Sequence, residues 1–256
     1  MIIYGLNPVL EALRAGRVRG IRTSRRSDQR MQEVLQLAVR ARVPIQQVET
    51  SELDRAARGG QHQGVVAEVE QAPDHTVQEL VAGASRVPLI VVLDGVEDPH
   101  NFGAILRVAD AAGVDGVVRQ RRHAAAADGA AAKASAGAMA HVRMANVVNI
   151  ARAIDELKAA NVWTVGLAGD ARQRYSELDL TLPTALVLGA EGTGLRRLVR
   201  ERCDILASLP MQGHVESLNV SVAAGIVLFE AVRQREGAAG GGPPKRMAAR
   251  AGAEEN

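Results

Sequence analysis

Apolar positions fall into two spacings along this chain. Unbroken or alternating short runs read as strands, and residues recurring every three or four positions read as helices. Up to residue 70 the two kinds alternate. Val18 to Thr23, Pro44 to Val48 and Gly64 to Val69 predict strands. Met31, Val34, Leu35 and Ala38 share one helical face and predict a helix over Asp28 to Arg42. Asn7-Pro8 predicts an earlier helix, with Asn7 as N-cap and Pro8 at the first helical position, ending at Gly16. Ser51 to Arg58 predicts a shorter one.

From Pro88 the pattern becomes stronger. Leu89-Ile90-Val91-Val92-Leu93 is wholly apolar, as in a strand buried on both faces. A helix is expected over Phe102 to Ala112, with Asn101 as N-cap and Gly113 as its stop. Further strands are expected at Gly116 to Val118, Val162 to Leu167, Thr184 to Leu188 and Ile205 to Leu209. Helices are expected at Asn149 to Ala160, Leu195 to Arg202 and Val220 to Gln234. The division is a small α/β unit over 1–70, a connector over 71–87 with room for one short helix, and a second α/β unit over 88–236. The Gly- and Pro-rich tail, 237–256, is expected to be disordered. Strands alternating with helices imply a mostly parallel sheet covered on both faces. Ligands bind such sheets beyond the carboxyl ends of the strands.

Composition narrows the class. Of 256 residues 47% are hydrophobic and 23% charged, which is ordinary for a globular chain. No apolar run reaches the ~18 residues of a membrane span. The start, Met1-Ile2-Ile3-Tyr4-Gly5, lacks the basic segment of a secretory signal, and the single Cys203 has no internal partner. A cytoplasmic location is expected. Residues 1–60 hold 11 Arg and 6 acids, a net of +5, against −3 for the remainder. Basic charge is thus gathered at the end where a polyanion would dock. Aromatics, at 2%, are too few for a reader of single strands by stacking.

Three polar, Gly-containing loops follow predicted strands: 94–103, 189–194 and 210–219. In the first, Arg107 lies about 200° around the helix from Ile105, away from the apolar stripe. The second, Gly189-Ala190-Glu191-Gly192-Thr193-Gly194, lets a ligand approach the backbone. Its spacing is neither a P-loop nor the G-x-G-x-x-G dinucleotide fingerprint. In the third, Ser217 or Asn219 caps the last helix. Absent patterns exclude other chemistries. Without C-x-x-C or H-x-x-x-H no metal is expected, and without G-x-S-x-G no hydrolase elbow.

Together the loops carry a specific resemblance. Leu93-Asp94-Gly95-Val96-Glu97-Asp98-Pro99-His100-Asn101-Phe102-Gly103-Ala104-Ile105-Leu106-Arg107, Leu186-Val187-Leu188-Gly189-Ala190-Glu191-Gly192-Thr193-Gly194-Leu195, and Leu209-Pro210-Met211 with Val215-Glu216-Ser217-Leu218-Asn219-Val220 resemble the three motifs of the SpoU (TrmH-like) branch of the SPOUT RNA methyltransferases. Ile3-Tyr4-Gly5-Leu6-Asn7-Pro8-Val9, His62-Gln63-Gly64-Val65 and Lys133-Ala134-Ser135-Ala136-Gly137-Ala138 match further family segments, so the resemblance covers roughly residues 2 to 235. The chain looks closest to enzymes that methylate the ribose 2′-oxygen of a guanosine in 23S ribosomal RNA. A transfer RNA ribose methyltransferase, and an rRNA-binding factor with little catalysis, are the alternatives.

The resemblance implies more than the pattern does. The fold it implies is α/β: a parallel-sheet SPOUT domain with a deep trefoil knot, preceded by a ribosomal-protein-like RNA-binding domain. It implies a homodimer and S-adenosylmethionine held by Gly189, Leu209 and Leu218, with Leu188, Gly192 and Met211 beside them. Arg107, Asn101, Glu191, Ser217 and Asn219 carry over as active-site residues. In the roles expected from it, Asn101 and Asn219 position the loops, Glu191 orients Arg107 or the substrate, and Arg107 binds phosphate and stabilises a forming alkoxide. Arg25, Arg26 and Arg30 are expected to contact RNA phosphates. Arg119-Gln120-Arg121-Arg122-His123 is an additional basic run that an RNA strand would suit, and the Ala-rich segment 124–134 offers little side-chain chemistry.

Overall fold

The computed structural model describes residues 1–24, 28–70, 73–121 and 131–239. The first unit contains β1 (Ile2–Tyr4), α1 (Leu6–Arg14), β2 (Val18–Thr23), α2 (Gln29–Arg40), β3 (Ile45–Gln47), α3 (Thr50–Ala56) and β4 (Val65–Val69). Its sheet has the order β1-β4-β2-β3, with only β2 and β3 parallel. β1 carries no period-2 signal because it is three residues long. It forms by pairing with β4 across more than sixty residues of chain. The N-cap of α1 is Gly5 (φ 96°), so Asn7 does not cap and lies inside the helix. Only glycine enters that backbone region without strain, and the helix therefore starts earlier than Asn7-Pro8 suggests.

The second unit contains β5 (Leu89–Asp94), α5 (Pro99–Ala111), β6 (Gly116–Gln120), β7 (Met144–Val147), α6 (Ile150–Ala159), β8 (Trp163–Leu167), β9 (Gln173–Arg174), β10 (Thr184–Gly189), α7 (Arg197–Arg202), β11 (Ile205–Ser208) and α8 (Val220–Ala239). Its seven strands run β7-β6-β5-β10-β8-β11-β9, and every pairing is parallel. Along β5 the side chains divide between the faces, as the pleat requires. Leu89, Val91 and Leu93 pack with Ile105, Ala224 and Leu228 of α5 and α8. Ile90 and Val92 pack with Leu80, Ile154 and Val199 on the opposite face. β7 and β9 are short and mixed in polarity, and the pattern does not reveal them.

The connector contains α4 (Val77–Ala82), closed by a Thr76–Glu79 capping box. It packs onto the second sheet: Leu80 is fully buried, and Asp74 accepts hydrogen bonds from the backbone and side chain of Asn146. At the other end α8 continues through 237–239, where disorder was expected. Residues 240–256, like Ala124 to Ala130 of the Ala-rich segment, lie outside the described residues. No described helix is long and apolar enough to cross a membrane.

Candidate active site

Because β5, β8, β10 and β11 are parallel neighbours, their carboxyl ends open on one edge of the sheet. The loop after β5 returns through a helix cap that differs from the expected one. Asp98 is the N-cap of α5: its side chain accepts from the Asn101 backbone N–H at 2.9 Å, and Pro99 occupies the first turn. Asn101 is thereby released from capping, and its side chain faces the second loop.

There the three loops meet. Asn101 Nδ2 donates to Glu191 Oε1 at 2.5 Å. Asn219 Nδ2 donates to Asn101 Oδ1 at 2.8 Å and to Glu191 Oε1 at 3.0 Å. Asn219 Oδ1 accepts from the backbone N–H of Ser221 at 2.9 Å and from its hydroxyl at 2.6 Å, which caps the start of α8. Each amide thus uses both ends. Asn219 ties α8 to the other two loops, and Asn101 bridges Asn219 and Glu191. Glu191 Oε2 has no hydrogen-bond partner among the described residues and remains open to a ligand.

Arg107 is exposed on α5 and makes no hydrogen bond or ion pair among the described residues, so it does not contact Glu191. Glu191 is engaged instead by the two asparagines, so of the two roles expected for it, orienting Arg107 or the substrate, the first has no contact behind it among the described residues. Ser217 is exposed and bonds to no described residue, and Asn219 rather than Ser217 caps α8.

The residues expected at a cofactor surround the same edge. Gly189 ends β10, Gly192 (φ 77°) forms the turn, and Leu209 and Met211 are half-buried after β11. Leu218 is 37% exposed. Leu188 is in the core, so only its backbone is available to a ligand. A Cβ on Gly189 would fall 2.2 Å from the Gly194 carbonyl carbon, whereas Cβ atoms on Gly192 and Gly213 would meet nothing within 4 Å. The backbone here is folded tightly on one side and open on the other. That arrangement leaves backbone groups of these loops within reach of a ligand.

One segment at this edge was not anticipated. Ala168-Gly169-Asp170 follows β8, between β10 and β11, and Asp170 accepts a two-point bond from Arg200 at 2.8 and 2.9 Å. The Arg200 fork holds that carboxyl below the usual carboxylate range. A single glycine after a strand is common, and nothing in the sequence distinguishes this loop from an ordinary turn. Among the described residues no group of three or more His, Cys, Asp or Glu is placed to hold a metal ion.

Of the cations expected to meet RNA, Arg30 is exposed on α2 without a polar partner among the described residues. Arg25 and Arg26 lie outside them, as do Arg122 and His123. Two cations of the additional basic run are engaged within the protein. Arg119 lies over the Phe102 ring and bonds Asn146, and Arg121 pairs with Asp74.

Known proteins match along nearly the whole chain. The model of the SpoU rRNA Methylase family matches residues 88–229, and that of RNA 2′-O ribose methyltransferase substrate binding matches 2–74. The 23S rRNA (guanosine-2′-O-)-methyltransferase RlmB of Pseudomonas aeruginosa is 45% identical over 239 residues, covering 91% of this chain and 96% of its own. The SpoU methyltransferase AviRb of Streptomyces viridochromogenes, solved with AdoMet, superposes with a TM-score of 0.78 at 27% identity, covering 93% of this chain and 91% of its own. An AdoMet-bound rRNA methyltransferase from Sinorhizobium meliloti gives 0.75 at 27% identity, covering 91% and 86%.

Proposed function

This chain belongs to the SpoU rRNA methylase family, and on that premise we propose that it methylates the ribose 2′-oxygen of a guanosine in 23S ribosomal RNA, using S-adenosylmethionine. The observation that carries the reading is the three-loop junction of Asn101, Glu191 and Asn219 at the carboxyl edge of the parallel sheet. It unites the three motifs at the position where such a sheet takes its ligand.

When bound, S-adenosylmethionine supplies a methyl group activated by its sulfonium. Gly189, Gly192, Leu209, Met211 and Leu218 hold it with the backbone of Leu188. The remaining difficulty is the nucleophile, since a sugar hydroxyl is a weak acid. The enzyme therefore orients the hydroxyl and stabilises the charge that develops on its oxygen. Glu191 orients the substrate through its open oxygen. Arg107, a permanent cation facing solvent, binds the adjacent phosphate and stabilises the forming alkoxide. Ser217, exposed in the third loop two residues before Asn219, is assigned to the same site. In the transfer the 2′-oxygen would gain the methyl group, the hydroxyl proton would pass to solvent water, and the donor would leave as S-adenosylhomocysteine.

The first unit acts as the RNA substrate-binding domain, with Arg25, Arg26 and Arg30 on phosphates. The finer topology is a deep trefoil knot in the second. It is supported by the insertion of β8 between β10 and β11, which obliges the chain leaving β10 to cross β8 on its way to β11. The working form is a homodimer, supported by Val222 and Phe229. They stand 49% and 50% exposed on one face of α8, the helix that starts just after Asn219.

Methyl transfer from labelled S-adenosylmethionine to unmodified 23S rRNA, followed by alkaline hydrolysis, tests the reading. A 2′-O-methyl group blocks cleavage at its own position, so label is expected in an alkali-resistant dinucleotide beginning with G. Label in alkali-sensitive products would mean base methylation and overturn the reaction. Transfer to tRNA alone would overturn the substrate.

A further inference from the structure

Asp94 ends β5, and its side chain is completely buried. No step above uses it. Every hydrogen bond that the described residues give it comes from one partner, Arg196, the N-cap of α7. Asp94 Oδ1 accepts from Arg196 Nε at 2.6 Å and lies 2.5 Å from Nη2 in the ion pair, and Oδ2 accepts from the Arg196 backbone N–H at 2.8 Å.

The Asp94 side chain is buried while that of Arg196 is 53% exposed. An ion pair of this kind is poor evidence of stabilisation, because burying the carboxylate costs much of what the attraction to a half-solvated cation returns. What this pair does impose is geometry. Asp94 is in register with Gly189 in the β5–β10 ladder. Between Gly189 and Arg196 the chain makes a small hairpin, closed by Ala190 and Gly194 exchanging backbone hydrogen bonds at 3.2 and 2.9 Å. Glu191 lies on that hairpin. Asp94 therefore holds one end of it through the ladder and the other through the Nε–H and backbone N–H of Arg196. The hairpin itself contains two glycines at positive φ, Gly192 and Gly194, and would swing readily without an anchor at its base.

Resting on the methyl-transfer reading above, we propose that Asp94 and Arg196 are positioning residues for the reaction: the buried carboxylate clamps both ends of the 189–196 hairpin and so sets Glu191 against Asn101 and Asn219. The planar guanidinium matters as well as the charge, since the Nε–H is held rigidly in its plane and fixes direction where an ammonium fixes only proximity.

The test uses the full-length protein. Arg196→Lys keeps the charge and loses the directed Nε–H bond. It is expected to lower kcat about tenfold, with KM for RNA and Tm at wild-type values. Arg196→Met leaves the buried carboxylate with the backbone N–H of residue 196 and no cation, with an expected loss of about 100-fold in kcat. Adding Asp94→Asn to Arg196→Met removes the orphaned charge and is expected to recover part of that loss. Hydrogen exchange at the Ala190 and Gly194 amides is expected to quicken in Arg196→Lys while exchange in β5 and β10 stays slow.

Wild-type kcat in Arg196→Lys, or a loss matched by a fall in Tm, would overturn the proposal and leave the pair purely structural. If Arg196→Met does not fold, Arg196→Lys decides. If the wild-type protein transfers no methyl group, the functional reading fails. The amide exchange of the hairpin then decides the clamp by itself, unchanged exchange overturning it.

Discussion

Asn101 and Glu191 are 90 residues apart in the chain and joined by a 2.5 Å hydrogen bond from Nδ2 to Oε1. The bond exists because Asp98, three residues before Asn101, takes the helix cap that Asn101 would otherwise provide. A local substitution of one capping residue for another thus decides what is available to the site.

Glu191→Gln retains size and removes the charge that both asparagine amides address. Turnover is expected to fall about 100-fold with the melting temperature unchanged, as measured by single-turnover methyl transfer beside calorimetric cofactor binding. Undiminished turnover would remove Glu191 from the proposed machinery.

Arg107 is exposed and free of intramolecular partners among the described residues, so replacing it disturbs no packing. Arg107→Ala is expected to reduce kcat/KM by about 100-fold, with cofactor affinity intact. Arg107→Lys is expected to recover only part, because an ammonium cannot engage a phosphate with two parallel bonds. Near-normal transfer by Arg107→Ala would refute the assignment.

Asp98→Ala removes the cap of α5. A loss of ~1 kcal/mol in unfolding free energy is expected, read from denaturant midpoints. Asp98→Ser is expected to hold most of the stability, since a hydroxyl also accepts from the Asn101 N–H.

Burial, reinforced by nearby Asp204, pushes the Cys203 thiol up to about 12 from 9.0. The folded protein keeps this proton where the unfolded chain releases it. Cys203 therefore supports folding below pH 9, and its contribution is lost as pH rises towards 12. Alkylation at pH 8 is expected to be about 1,000-fold slower than for a free thiol, and Cys203→Ala is expected to flatten the alkaline decline in stability. Rapid alkylation of the native protein would contradict this.

Phe229 and Val222 stand on one face of α8. Phe229→Asp is expected to convert a dimer to a monomer in sedimentation velocity without lowering the monomer's helicity. A wild-type protein that sediments as a monomer at micromolar concentration would reject the dimer.

Much of the fold was legible. β5 announced itself because a strand buried on both faces must be apolar at every position, and α2 because its one buried stripe repeats at helical spacing. β1, β7 and β9 were not legible. They are two to four residues long, and their existence depends on partners supplied by distant chain. The caps misled at Asn7 and Asn101, since several neighbouring residues satisfy the local chemistry and the backbone path chooses among them. Gly5 and Asp98 were the ones chosen.

For the site, the sequence by itself determined the residue types and their order. Three loops rich in glycine and amide side chains, each after a strand, are a local property of the chain. Only the tertiary structure decided that Asn101, Glu191 and Asn219 share one hydrogen-bonded junction, that Glu191 turns from Arg107 towards the asparagines, and that Asp94 meets Arg196. The reason is physical. Strand, helix and turn preferences act over a few residues, whereas the order β5-β10-β8-β11 is set by burying both faces of one parallel sheet, and that order alone brings these loops to the same edge.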